Sequence, residues 1–267
     1  MSIIEYLFAN PVYVASGLIV GLAVGLTGVG GGSLMTPLLV LVFGIHPTTA
    51  VGTDLLFAAT TKTVGTVIHS AGKTVDWRIV GRLALGSVPA TLLTLLVTSF
   101  IGADSKLVTT AISLVLGVAL LLTAVTLLFK DWIFAAAARF FPGMTAESPV
   151  WMTVSVGFVL GGLVSLSSVG AGALGTVALL YLYPKAPMVR IVGSDIAHAV
   201  PLTLLAGMGH WYMGTINFPL LGALLVGSIP GIIIGSYTAR FAPERVLKLG
   251  LGVLLAVVGV KLLRGGS

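Results

Sequence analysis

The sequence predicts an all-α polytopic integral membrane protein made of two inverted repeats of four elements each, the first element of each repeat a glycine-broken helical hairpin. Three observations predict it. The chain is too apolar for water, since 57% of its 267 residues are hydrophobic and only 8% are charged, against about 25% charged in a soluble domain. One pattern occurs twice, about 140 residues apart. The basic residues gather on one side of a membrane only if the second copy is turned over.

The first copy reads Gly28-Val29-Gly30-Gly31-Gly32-Ser33, Val51-Gly52-Thr53-Asp54, His69, Thr74-Val75-Asp76-Trp77 and Gly86-Ser87-Val88-Pro89. The second reads Ser168-Val169-Gly170-Ala171-Gly172, Val192-Gly193-Ser194-Asp195, His210, Thr215-Ile216-Asn217-Phe218 and Gly227-Ser228-Ile229-Pro230. The offset is 140 at the glycines and 141 afterwards, so a single residue separates the two spacings. Paired apolar segments broken at matching positions point to a transporter with a midplane site.

In the first repeat, residues 1–130, the broken element covers 11–44, with arms 11–27 and 33–43, and the others cover 48–70, 79–100 and 106–129. The shorter arm reaches about 17 Å against a hydrocarbon core of about 30 Å, which suits a hairpin that enters and leaves on one side. In the second repeat, residues 149–267, the elements cover 150–183 (broken at 168–172), 188–212, 218–238 and 244–263. Counting hairpin arms, this gives about 8–10 membrane helices. A connector, residues 131–148, carries an aromatic, basic stretch from Trp132 to Phe141 suited to an interfacial helix.

With the repeats inverted, Lys73, Arg78, Arg82, Lys130, Arg139, Lys185, Arg190, Arg240, Arg245 and Lys248 share one side, and Lys106, Lys261 and Arg264 take the other. Ten against three is a strong bias, whereas parallel repeats give seven against six. The ten-charge side is therefore expected to be cytoplasmic and both termini extracytoplasmic. The net charge of +6 is spread along the chain and is no nucleic-acid footprint. The absence of cysteine excludes disulfides, thiolate metal sites and cysteine nucleophiles.

The breaks are the first candidates for chemistry. Gly30, Gly31, Gly32 and Ser33 in one, and Ser167, Ser168, Gly170 and Gly172 in the other, precede helix N-termini whose N–H groups can meet an anion. The four-residue rows Gly17, Gly21, Gly25 and Gly227, Gly231, Gly235 read instead as close helix packing. Lys62 stands inside an apolar segment, where a charge costs a few kcal/mol and marks function by default. It can bind an anion directly or form a structural ion pair with Asp54 or Asp195, and a pair that breaks on substrate entry would be a gate. Asp54 and Asp195 are also open to a bland reading as capping residues in the first turns of their own helices. His69 and His210 read as boundary anchors. His198, three residues after Asp195, is placed to exchange protons with it. Two ligands without a third make a metal site weak.

The glycine-rich break with Pro37, the Gly52-Thr53-Asp54 that follows and their echo at Val169-Gly170 and Gly193-Ser194-Asp195 resemble the TauE/SafE family of sulfite and sulfonate exporters. The resemblance spans residues 14–263. It implies a multi-pass permease of the prokaryotic inner membrane that moves sulfur-containing oxyanions outward.

The reading is a secondary transporter of a small sulfur oxyanion, such as sulfite or an organosulfonate, working by alternating access. Substrate donors are expected from Gly30, Gly31, Gly32, Ser33, Thr36, Thr53, Ser167, Ser168, Gly170, Gly172 and Ser194, with the positive charge from Lys62. Asp54, Asp195 and His198 are expected to couple protons or gate. No cofactor and no metal are expected. The expected partners are the anion and the bilayer, with no nucleic acid and a homodimer left open. Alternatives are an anion channel, a permease for another small organic anion, or an intramembrane serine hydrolase using Ser167 or Ser168 with His198 and Asp195. The last lacks the strand–turn context of a nucleophile elbow. Cysteines placed at Ser2 and Ser267 are expected to react with a membrane-impermeant maleimide from outside intact cells; protection of either would refute the topology.

Overall fold

The computed structural model describes residues 10–27, 32–71, 74–129, 150–238 and 244–264. They form ten helices: α1 (Pro11–Thr27), α2 (Gly32–Leu41), α3 (Pro47–Ala71), α4 (Trp77–Ile101), α5 (Lys106–Leu128), α6 (Val150–Ser167), α7 (Ala173–Leu182), α8 (Met188–Tyr212), α9 (Phe218–Thr238) and α10 (Glu244–Leu263). No strand occurs among the described residues. Every sequence-derived element is present with ends shifted by at most two residues. The stretch from Trp132 to Phe141 and the break residues Gly28 to Gly31 lie outside the described residues.

Among the described residues, α4, α5, α6, α8 and α9 are long and apolar enough to cross a membrane. The arms α2 and α7 have 10 residues each, about 15 Å, or half a hydrocarbon core. Polar residues set the helix starts. Asp76 caps α4 by accepting from the Arg78 N–H at 3.0 Å, and Ser105 caps α5 by accepting from the Val108 N–H at 3.2 Å. Asn217 serves α9 in the same way, accepting from the Leu220 N–H at 3.0 Å. Asp76 and Asn217 are matched positions of the doubled pattern, whose Thr-Val-Asp-Trp and Thr-Ile-Asn-Phe segments are thus helix starts.

The two halves interlock by pairing their elements reciprocally. Helix α1 packs along α9, and its second-half counterpart α6 packs along α4; α3 packs on α8 and α5 on α10. The glycine rows allow this approach. A Cβ on Gly17 or Gly21 would strike the carbonyl oxygens of Leu224 or Ser228, and one on Gly157 or Gly161 would strike those of Leu83 or Ser87. Gly227 faces the Val14 carbonyl and Gly86 the Val154 carbonyl. Each contact in one set is the offset image of a contact in the other. Leu116, Leu120, Leu251 and Leu255 fill the α5–α10 seam, while Val51, Leu55, Leu202 and Ala206 fill the α3–α8 seam. Leu92, Leu96 and Phe100 of α4, with Val253 and Val257 of α10, face outward, as lipid-facing residues do.

The connectors also mix halves. Thr48 Oγ1 donates to the Ala103 carbonyl at 3.0 Å, and the Asn217 N–H donates to Thr53 at 3.1 Å, so the connectors before α3, α5 and α9 lie together. Elsewhere the Asp76 N–H donates to Ser194 at 2.8 Å and Arg82 donates to the Tyr183 hydroxyl at 3.1 Å, which joins the connectors before α4 and α8.

Because a Cβ on Gly86 or Gly227 meets backbone rather than a movable side chain, Gly86→Ala or Gly227→Ala is expected to cost about 1–3 kcal/mol by overpacking. Gly81→Ala, where nothing lies within 4 Å, is expected to be neutral or slightly stabilising. Thermal unfolding of the three variants in detergent micelles checks the contrast.

Candidate functional site

The second break is fully described and shows how a helix interrupts itself here. Ser167 ends α6, and its hydroxyl donates to the Leu163 carbonyl at 2.7 Å while accepting from the Val169 N–H at 3.2 Å. The chain then turns through Ser168 at φ 58°, Gly170 at φ 124° and Gly172 at φ 133°. The glycine values are ones that side chains rarely tolerate, which is why glycine persists there while Ala171 is allowed between. Helix α7 restarts with the Thr176 N–H donating to the Gly172 carbonyl at 3.0 Å.

Each carboxylate of the doubled motif addresses the short arm of its own half. Asp54 Oδ2 accepts from both the N–H and the hydroxyl of Thr36 in α2. Asp195 Oδ2 accepts from the Thr176 hydroxyl in α7 at 3.1 Å, and its other oxygen lies where a Cβ on Gly175 would sit. The two residues therefore do not cap the first turns of α3 and α8. They sit in the second turns and hold the N-terminal ends of α2 and α7, where the helix dipole favours negative charge.

The other two motif residues serve the opposite half. Gly193 abuts the Thr74 carbonyl and needs glycine for space, while at Gly52 a Cβ would press tightly on Thr215. Thr53 accepts from the Asn217 N–H and Ser194 from the Asp76 N–H, the latter also donating to the Arg190 carbonyl at 2.7 Å. These hydroxyls, expected to face substrate, are instead bound to protein backbone. The reason is that each caps a connector whose N–H would otherwise be unmet in a low-dielectric setting.

Lys62 is 6% exposed and is the buried cation among the described residues. Its Nζ donates to the carbonyl of Ala171 in the second break at 2.9 Å. It lies within electrostatic reach of Asp54, Asp195 and His198. His198 does not bond Asp195; its Nε2 meets the Ser87 hydroxyl at 2.8 Å. Around this centre Asp54 Oδ1, Asp195 Oδ1, Ser168 Oγ and His198 Nδ1 are buried without a hydrogen-bond partner among the described residues. Buried polar groups are rarely left so, and a cluster of them marks a place built to bind something.

Of the expected site residues, the structure brings Thr36, Asp54, Lys62, Ser168, Asp195 and His198 together, with Gly172 and Ser167 forming the adjoining turn. Gly30 and Gly31 lie outside the described residues, and Gly32 and Ser33 begin α2 with side chains that do too. So does the His69 side chain. Thr176, Gly175 and Ser87 join the site without having been singled out. Thr176 was reachable, being Thr36 plus the 140-residue offset. His210 is no boundary anchor: it is 1% exposed and bridges Thr215 at 3.0 Å and the Ser165 carbonyl at 3.1 Å. It is buried because α8 continues past it to Tyr212 while α6 covers its face.

Broken apolar helices around a buried, under-satisfied polar centre define an integral membrane transporter of the repeat type. The chain belongs to the TauE/SafE sulfite exporter family, whose model matches residues 13–262. It is 38% identical over 252 residues to the probable membrane transporter protein YjnA of Bacillus subtilis, covering 92% of this chain and 97% of that protein. It is 28% identical over 249 residues to the probable membrane transporter protein YdhB of the same organism, covering 92% and 96%. A probable membrane transporter protein of Xylella fastidiosa is 26% identical over 253 residues, covering 93% of each chain. No solved structure matches the chain.

Thr53→Val and Ser194→Ala each strand a backbone N–H, and each is expected to lower unfolding free energy by about 1–3 kcal/mol. Ser168→Ala removes a hydroxyl that serves no backbone N–H, its one interaction among the described residues being with the Asp54 side chain, and is expected to change stability by less than about 1 kcal/mol. Equal losses for all three in thermal melts would contradict this division of labour.

Proposed function

We propose that the chain exports a small sulfur-containing oxyanion, such as sulfite or an organosulfonate, by alternating access of two inverted repeats around Lys62. One observation carries the reading: a single buried cation among the described residues, ringed by four buried polar atoms that lack partners. A pyramidal or tetrahedral oxyanion offers acceptors to Lys62 and to Ser168, and to His198 when its Nδ1 bears a proton. The family's description and the short, 10-residue arms α2 and α7 support it.

Inversion is supported by the connectors. A parallel duplication would bring matched connectors to the same side, yet the one before α4 lies with the one before α8 and the one before α9 with the one before α3. The same reading makes the face holding Arg78, Arg82, Lys185 and Arg190 cytoplasmic, with both termini outside.

Charge arithmetic sets the coupling. Lys62 with Asp54 and Asp195 sums to minus one when all three are ionised, which opposes an anion. Proton uptake by a carboxylate removes that repulsion and frees Lys62 from competing partners. Anion and proton binding therefore favour each other, by linkage. A monoanion that accumulates inside then leaves down its own gradient with a proton, and the step is electroneutral.

In proteoliposomes Lys62→Met is expected to lose more than about tenfold in sulfite or sulfonate flux, since binding and charge compensation both depend on it. Without ligand the variant is expected to insert and fold with a lowered melting temperature, because Asp54 and Asp195 lose their buried cation, so flux is scored per folded protein. Wild-type flux from this variant would remove Lys62 from the site. A panel of sulfur oxyanions and carboxylates, scored by thermal stabilisation of purified protein, ranks the substrates; a ligand at 100 times its Kd adds about 2.7 kcal/mol.

A further inference from the structure

We propose that the cleft between the start of α4 and the α7–α8 connector is a second anion site, a loading station for the transported oxyanion. This rests on the transport reading above. The cleft has a volume of about 240 Å³, and its lining includes Arg78, Arg82, Lys185, Arg190, Tyr183 and Asp76. Four cations against one carboxylate leave three net positive charges in a concavity, where low-dielectric walls focus the field and concentrate anions. The carboxylate is already engaged, since Asp76 accepts from the Arg78 N–H as the cap of α4. Arg82 is held in place: its Nη1 donates to the Tyr183 hydroxyl at 3.1 Å, which shares a 2.8 Å hydrogen bond with Thr153.

The charges are not part of the repeated frame. The positions matching Arg78, Arg82 and Arg190 in the other half are Pro219, Ala223 and Thr49. The frame folds at those places without a cation, so the basic lining serves something that only this face does. Its position says what. Arg190 lies five residues before Asp195 on α8, a rise of about 7.5 Å. Between the cleft and the Lys62 centre stand the Asp76–Ser194 hydrogen bond and the Thr74–Gly193 contact. An anion in the cleft waits against that seal, on the face that the inverted topology makes cytoplasmic. The volume exceeds several water molecules at about 30 Å³ each, enough for a small sulfonate with part of its hydration.

The test uses full-length protein in nanodiscs of zwitterionic lipid, titrated calorimetrically with sodium sulfite and with methanesulfonate. Lys62→Met is expected to retain one salt-sensitive anion site, and adding Arg78→Gln and Arg190→Gln is expected to abolish it. The charge-keeping pair Arg78→Lys and Arg190→Lys retains it, and Lys185→Gln alone weakens it. In oriented proteoliposomes, Arg78→Gln with Arg190→Gln is expected to raise the half-saturation concentration about five- to tenfold on that face only. Undiminished sulfite binding in the glutamine variants overturns the proposal. So does loss of the sulfite site when anionic phosphatidylglycerol is added to the discs, which would make the cleft a lipid-headgroup site. Binding is read without flux, so absence of sulfur-oxyanion transport by wild-type protein would fail the transport reading while leaving the cleft's anion site measured on its own.

Discussion

The contact on which the polar centre depends is the hydrogen bond from Lys62 to the carbonyl of Ala171. An amine and a broken helix are each costly at membrane depth. Here each answers the other, across the boundary between the halves. Placing the amine there draws Asp54, Asp195 and His198 into one electrostatic neighbourhood. The carboxylates in turn hold the N-terminal ends of α2 and α7 through Thr36 and Thr176. Removing the amine would leave two buried carboxylates without the cation that both interact with.

The doubled Gly-Thr-Asp and Gly-Ser-Asp segments make this centre possible by acting in three directions within three residues. The glycine admits the opposite connector, the hydroxyl satisfies that connector's N–H, and the carboxylate turns inward to the short arm. Successive helical residues point about 100° apart, so one turn of α3 or α8 can serve a connector and the core at once. Both connectors are closed down in this way, one over each end of the α3–α8 pair. The same three-residue device thus ties down one connector near the start of α3 and one near the start of α8.

Much of this was legible in the sequence because the physics is local or repeated. Long apolar runs gave the helices to within two residues, and the bilayer's lack of water made Lys62 conspicuous. The glycine rows announced close packing, though not which helices would meet. Roles that depend on contacts between the halves were hidden. Thr53 and Ser194 looked like substrate donors because nothing in their neighbourhood reveals the N–H groups of Asn217 and Asp76. His198 looked like a partner for Asp195 three residues away, and only the approach of α4 supplies Ser87 instead.

The two exceptions to the repeat bear on how a carrier would cycle. If the halves exchange roles between inward and outward states, a strictly symmetric frame gives two states of equal energy. Lys62 breaks that equality. Its counterpart Thr203 bonds back to the Ala199 carbonyl of its own helix at 2.8 Å. Phe57, the counterpart of His198, is buried and apolar, so the unsatisfied imidazole also belongs to one side of the centre alone. An anion bound at Lys62, as proposed, would meet unequal surroundings in the two halves, and a ligand shifts a conformational equilibrium only through such unequal interaction. On the transport reading proposed above, the unmatched residues would let the anion drive a transition that the matched ones permit.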